Sequence, residues 1–171
     1  MTDFSHPSCL PLEELETECE FRTTKRSGPG GQHRNKVETA VIVTHRPSGC
    51  VAEANESRSQ ATNRLRAMFR LRLRLAVSNL PEGEVIQVAP SALWESRRAG
   101  TLLRVSGENN DFPALLAELY TFLTRNNFDL NNASLFFGCS SSQLVRLLKQ
   151  CPAAWQLFND SRQRIGLRRL Q

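Results

Sequence analysis

The sequence predicts an α+β protein: a small sheet bearing a glycine-rich loop, one long arginine-rich helix behind it, and a C-terminal all-helical unit. Three observations carry the prediction. Alternating or β-branched stretches at residues 17–23, 37–45 and 50–54 surround the loop K-R-S-G-P-G-G-Q-H-R-N-K, Lys25 to Lys36. A run without Gly or Pro follows Ser57-Arg58-Ser59-Gln60, which has the form of a capping box. From Phe112 onward, apolar residues recur at helical spacing between Gly, Ser and Pro punctuation. The expected division is 1–80 for the loop-bearing domain, 81–110 for a partly structured linker, and 111–171 for the helical unit.

Residues 1–11, with Pro7 and Pro11, show little pattern and are expected as a loose arm. Thr17 to Thr23 alternates and predicts a strand leading into the loop. Val37 to His45 predicts the next strand, Arg46-Pro47-Ser48-Gly49 a turn, and Cys50 to Ala54 the returning strand. In the following helix Leu65, Phe69, Leu73, Ala76 and Leu80 are expected to face the core, with Arg66, Arg70 and Arg74 along another face. Residues 79–111 mix Pro, Gly and polar residues, with Val85 to Val88 as one short strand. Four helices are then expected: from Phe112, from Leu130 to a stop at Gly138, from Gln143 behind the serines Ser140 to Ser142, and from Pro152 to near Gly166. Ala133 to Lys149 resembles a helix-turn-helix, although Arg146 and Lys149 are its few exposed cations.

Charge is unevenly placed. Residues 1–21 carry six acids and no Lys or Arg, residues 22–78 balance at +9, and residues 79–171 at +2. The positive field thus belongs to the loop-bearing segment, as expected for contact with nucleic acid. The helix after Ser57 adds six arginines without an acid between Arg58 and Leu75. Five scattered cysteines, never in C-x-x-C spacing, argue against a disulfide framework or zinc site and predict a reducing cytoplasm. No bilayer-length apolar run or signal-like N-terminus is visible. The three histidines lack metal-ligand spacing, so neither metal nor cofactor is expected.

In the loop, Gly28, Gly30 and Gly31 can adopt positive φ and admit a ligand to bare backbone, while Pro29 fixes one φ. Lys25, Arg26, Arg34 and Lys36 surround them without an acid, which suits close approach to a polyanion. An ordinary glycine-rich turn on a solvated basic face would look similar. A phosphate-binding P-loop is excluded because no Gly-Lys-Ser/Thr follows.

R-S-G-P-G-G-Q-H-R-N-K-V-E-T-A-V (Arg26–Val41), with T-H-R-P-S-G (Thr44–Gly49) and E-S-R-S-Q-A-T-N-R (Glu56–Arg64), resembles the catalytic domain of class-I peptide chain release factors. The resemblance implies hydrolysis of the peptidyl-tRNA ester within the large ribosomal subunit. It implies that Gln32 donates its backbone N–H to the oxyanion while its side chain excludes larger nucleophiles, with Gly30 and Gly31 holding the backbone. Gly28, Pro29 and Asn35 would shape the loop, and His33 would position it. Lys25, Arg26, Arg34, Lys36, Arg58, Arg66, Arg70 and Arg74 would meet RNA. A methyltransferase acting on the Gln32 side chain is a further implied partner. The short stretch ahead of the loop resembles the codon-independent relatives that rescue stalled ribosomes more than full stop-codon readers. Two other classes remain open from residues alone, a non-catalytic RNA-binding factor and a helix-turn-helix DNA regulator.

Overall fold

The computed structural model describes residues 4–25, 39–78 and 88–171. The chain forms two compact units, Leu10–Leu75 and Met1–Cys9 with Ala76–Gln171.

The first unit contains α1 (Leu12–Thr17), β1 (Cys19–Thr24), β2 (Ala40–His45), β3 (Val51–Ala54) and α2 (Gln60–Ser78, which runs past the unit's end). Its sheet is antiparallel in the order β1-β2-β3. Phe21 stands opposite Val43, and Val43 opposite Ala52. Alternation puts Val41, Val43, Ala52 and Ala54 on one face, where they meet Ala67, Met68, Leu71 and Leu75 of α2. Leu15 of α1 joins the same cluster. The expected turn forms between β2 and β3: Gly49 takes φ +68° and its N–H donates to the His45 carbonyl at 2.8 Å.

Two expectations for this unit change. The strand begins at Cys19, and the residues before it form α1, which carries Glu13 and Glu14 in its first turn and buries Leu15. More tellingly, α2 buries Ala67, Met68, Leu71 and Leu75 along with the expected Ala76, while Phe69 and Leu73 are half-buried and Leu65 is 59% exposed. The sequence L-R-A-M-F-R-L-R-L-R-L offers both rows at helical spacing, so local pattern cannot choose between them. The choice is made by the shape and chemistry of the sheet. Leu80, the fifth residue of the expected face, and residues 79–87, with most of the Val85–Val88 strand, lie outside the described residues.

The second unit is built on α4 (Phe112–Arg125), a helix buried along almost its whole length. Around it lie α3 (Ala92–Arg97), a minimal hairpin of β4 (Arg98–Ala99) and β5 (Leu102–Leu103), α5 (Leu130–Phe137), α6 (Ser141–Lys149) and α7 (Pro152–Arg164). The helix boundaries follow their local signals. The Asp129 carboxylate accepts from the N–H groups of Asn131 and Asn132, Gly138 ends α5 at φ +60°, and Pro152 opens α7. Ser140 stands at the α6 N-cap without a side-chain cap bond. Gly138 to Ser140 joins α5 to α6.

The expected loose arm is instead docked. Phe4, His6 and Ser8 are buried, and a 3-10 turn at Pro7–Cys9 packs on α4. Ser8 N–H donates to His6 Nδ1 at 3.0 Å, and the Phe4 and His6 rings stack. Within the expected linker, Trp94 is fully buried: its ring lies 4.2 Å from that of Phe137 and its Nε1–H donates to the Phe137 carbonyl. Ser91 caps α3 by accepting from Trp94 N–H. Glu118, 1% exposed, accepts from both the N–H and the hydroxyl of Ser91 at 2.7 and 2.6 Å. Arg97 pairs with Asp111.

Candidate nucleic-acid interface and the stem of the glycine loop

β1 ends at Thr24 and β2 begins at Ala40, so two adjacent antiparallel strands form the stem from which the glycine loop leaves and returns. Lys25 is exposed at the departing end. Arg26, Gly28, Pro29, Gly30, Gly31, Gln32, His33, Arg34, Asn35 and Lys36 lie outside the described residues.

The returning end is held by a residue that carries no distinctive signal in the sequence. Asn63, in the first turn of α2, has no exposed surface. Its Nδ2 donates to the Thr39 carbonyl at 2.6 Å and to the Ser57 carbonyl at 2.9 Å, and its Oδ1 accepts from Ser57 N–H at 2.9 Å. One amide therefore joins the last residue of the loop exit to the segment that starts α2. Both ends of the side chain are used, as burial of an amide requires. The expected capping box is realised differently. Ser59 accepts from Thr62 N–H at 3.3 Å, Ser57 accepts from Ser59 N–H, and Ser57 N–H goes to Asn63 rather than to Gln60. An Asn three residues into a helix is a weak signal by itself, because only the tertiary fold brings Thr39 within its reach.

The arginines of α2 divide into two groups. Arg64 ion-pairs with Glu16 at 2.7 Å and lies 3.4 Å over the Phe21 ring, joining α1, β1 and α2. Arg70 donates to the Glu53 carbonyl at 2.8 Å and pairs with Glu56 at 2.5 Å. Arg74 donates to the Val51 carbonyl. β3 is an edge strand, and these two guanidinium groups satisfy carbonyls that its missing neighbour leaves open. Arg70 holds the Glu56 carboxyl down to about 2, chiefly through its hydrogen bond. Arg58 and Arg66 are exposed, and with Lys25 they are the expected cations that present charge outward among the described residues.

Other chemistry is weakly supported. His45, 1% exposed, has Ser48 Oγ 2.6 Å from Nδ1 and Glu18 Oε2 2.9 Å from Nε2. The order is that of a nucleophile, base and acid. Ser48 Oγ is also engaged by Cys50 N–H at 3.2 Å, so the chain fastens the β2–β3 turn to the start of β1. Burial pushes the thiols of Cys19 and Cys139 up, away from the thiolate needed for attack. Among the described residues, no group of three or more His, Cys, Asp and Glu side chains could hold a metal ion. No helix among them is long and apolar enough to cross a membrane.

With this stem, sheet and arginine helix in place, the comparison with known proteins is informative. A family model described as the RF-1 domain matches residues 12–93. This segment is similar to the catalytic domain of class-I release factors. The chain is 48% identical over 66 residues to peptide chain release factor 1 of Caldicellulosiruptor saccharolyticus, covering 39% of this chain and 19% of that one. Over 84 residues it is 40% identical to the chloroplastic peptide chain release factor PrfB1 of Arabidopsis thaliana, 44% of this chain and 18% of the relative. Peptide chain release factor 2 of Paramagnetospirillum magneticum is 45% identical over 75 residues, covering 44% and 20%. The chain thus spans about a fifth of the length of these curated relatives. The RF-1 match covers the whole first unit from α1 onward, including the stem, Asn63 and the arginines of α2.

Proposed function

We propose that the protein hydrolyses the ester of peptidyl-tRNA on the large ribosomal subunit, with the loop between β1 and β2 as its catalytic element. The observation that carries this reading is the RF-1 domain match, which spans an intact Gly30-Gly31-Gln32 between the stem strands. Attack of water on the ester develops negative charge on the carbonyl oxygen. The backbone N–H of Gln32 would meet that oxyanion, a contact of the kind that contributes about 3 kcal/mol. The Gln32 side chain would admit water and refuse bulkier nucleophiles. Gly30 and Gly31 would supply a backbone shape that a Cβ opposes. Gly28, Pro29 and Asn35 would set the loop, while Lys25, Arg26, Arg34 and Lys36 would dock on ribosomal RNA phosphates. Arg58, just ahead of α2, and Arg66 on it would extend that contact; Arg70 and Arg74 would serve it from their places along β3. A methyltransferase would modify Gln32. No step calls for a metal ion.

The finer reading is codon-independent release from stalled ribosomes. Single-turnover peptide release separates the alternatives. Ribosomes stalled without a stop codon and ribosomes paused at one are each mixed with the wild type and with Gly31→Ala. Release from the stalled set, at least about a hundredfold slower with Gly31→Ala while ribosome binding is kept, is the expected result. Release only at stop codons would remove the rescue reading. Binding without release in either set would leave a non-catalytic RNA-binding factor.

A further inference from the structure

The second unit carries its own charge asymmetry. Residues 88–140 hold four Arg against five acids, whereas residues 141–171 hold Arg146, Lys149, Arg162, Arg164, Arg168 and Arg169 against Asp160 alone. The positive charge is therefore confined to α6, α7 and the tail after them. The tail is built against these helices. Leu170 N–H donates to Oδ1 of Asn159, itself 2% exposed, at 2.8 Å, and Leu167 N–H donates to the Arg162 carbonyl at 2.9 Å. This path lays Arg168 and Arg169 beside α7 and brings Gln171 to the end of α6, where Lys149 Nζ donates to its terminal oxygen.

The bonds these cations make leave their charge largely uncancelled. Arg162 donates to the carbonyls of Phe128 and Arg168, both neutral acceptors, whereas Lys149 donates to the terminal oxygen of Gln171. Arg169 is ion-paired with Asp160 at 3.0 Å. Arg146, Arg164 and Arg168 are exposed. The same helices carry a half-buried aromatic ring: Trp155 stacks on Phe158, with Lys149 Nζ 5.1 Å from its centroid.

We infer that α6, α7 and the tail form a second RNA-binding surface, one that grips phosphates and lies outside the RF-1 match. Exposed arginines on the same short stretch of chain as a half-buried aromatic ring suit a phosphodiester backbone with a base against the ring. An acidic protein would need the charge but not the ring. The inference stands on its own, independent of whether the glycine loop hydrolyses anything.

The test uses the full chain and a labelled RNA hairpin with a single-stranded overhang, with a DNA duplex of matching sequence as the second arm. Binding is followed by fluorescence anisotropy from 50 to 200 mM salt. The variant Arg146→Gln/Arg168→Gln removes two exposed guanidinium groups to which no fold-holding contact is traced. It is expected to weaken RNA binding about tenfold and to lower the log–log salt slope by about 1.5, with an unchanged circular dichroism spectrum. Gly31→Ala binds like the wild type in this assay, whatever it does to hydrolysis. An unchanged RNA affinity and slope in the double variant, or a loss confined to the DNA duplex, would overturn the inference.

Discussion

The two units solve one problem with different cores. The loop-bearing unit has a thinner, aliphatic core, in which Ala52, Ala54, Val41 and Val43 of the sheet meet Leu15, Met68, Leu71 and Leu75 of the helices, with no fully buried aromatic ring among the described residues. The helical unit has a thick aromatic core in which Trp94, Phe112, Phe137 and Phe158 are fully buried. In each, however, a segment outside regular structure is held by one buried asparagine. Asn63 holds Thr39 and Ser57, and Asn159 holds Leu170. The number of bonds differs. Asn63 uses its donor twice and its acceptor once, while the traced contact of Asn159 is a single acceptance. A thin core has less burial to spare, and there the polar brace carries a larger share of local order.

That contrast can be broken first at the amides. Asn63→Ala strands two carbonyls and an N–H at a site without solvent, and it is expected to cost about 3 kcal/mol in urea unfolding followed by far-UV circular dichroism. Asn159→Ala strands one N–H near the chain's surface and is expected to cost about 1 kcal/mol. Tryptophan fluorescence is the suitable probe for it, because Trp94 and Trp155 both lie in the helical unit. Equal costs would remove the distinction between the two braces.

A gain is expected inside the aromatic core. Thr121 is 2% exposed, and its hydroxyl has no hydrogen-bond partner among the described residues. Thr121→Val keeps the branched shape and removes the unsatisfied group, so stability should rise by about 1 kcal/mol, read as a higher urea midpoint by fluorescence. A loss would mean that the hydroxyl is satisfied in solution.

The smallest effect concerns the edge of the sheet. The Glu56 carboxyl is held down to about 2, below the ordinary value of 4.5, by Arg70. A depressed carboxylate stabilises the fold above its unfolded value, and that contribution fades as pH falls from about 4.5 toward 2. Glu56→Gln should therefore lower the melting temperature slightly at pH 7 and match the wild type near pH 2. With both partners more than 40% exposed, solvent screens most of the effect. A difference that persisted at pH 2 would assign it to packing instead of charge.

Elements with strong local signals are legible in the amino-acid order alone. Asp129 and Gly138 bracket α5, Pro152 opens α7, and Arg46 to Gly49 turns the hairpin, because caps and turns are settled by a few neighbouring residues. The likeness of the loop to the release factor domain is legible for a related reason: the motif is contiguous. What stays open in the sequence depends on partners distant along the chain. Two leucine rows on α2 are equally spaced, and the sheet selects Leu71 and Leu75. Arg70 and Arg74 read as outward charge until β3 offers its carbonyls. Residues 4–9 read as a loose arm until their 3-10 turn packs on α4, and Trp94 sits in an apparent linker until Phe137 meets its ring. Asn63 has no visible role until folding brings Thr39 to it. By itself the sequence determined the segments whose hydrogen bonds close within a few residues. The tertiary structure decided which face, cation or amide met its counterpart, because such pairings become favourable only after distant segments are brought together.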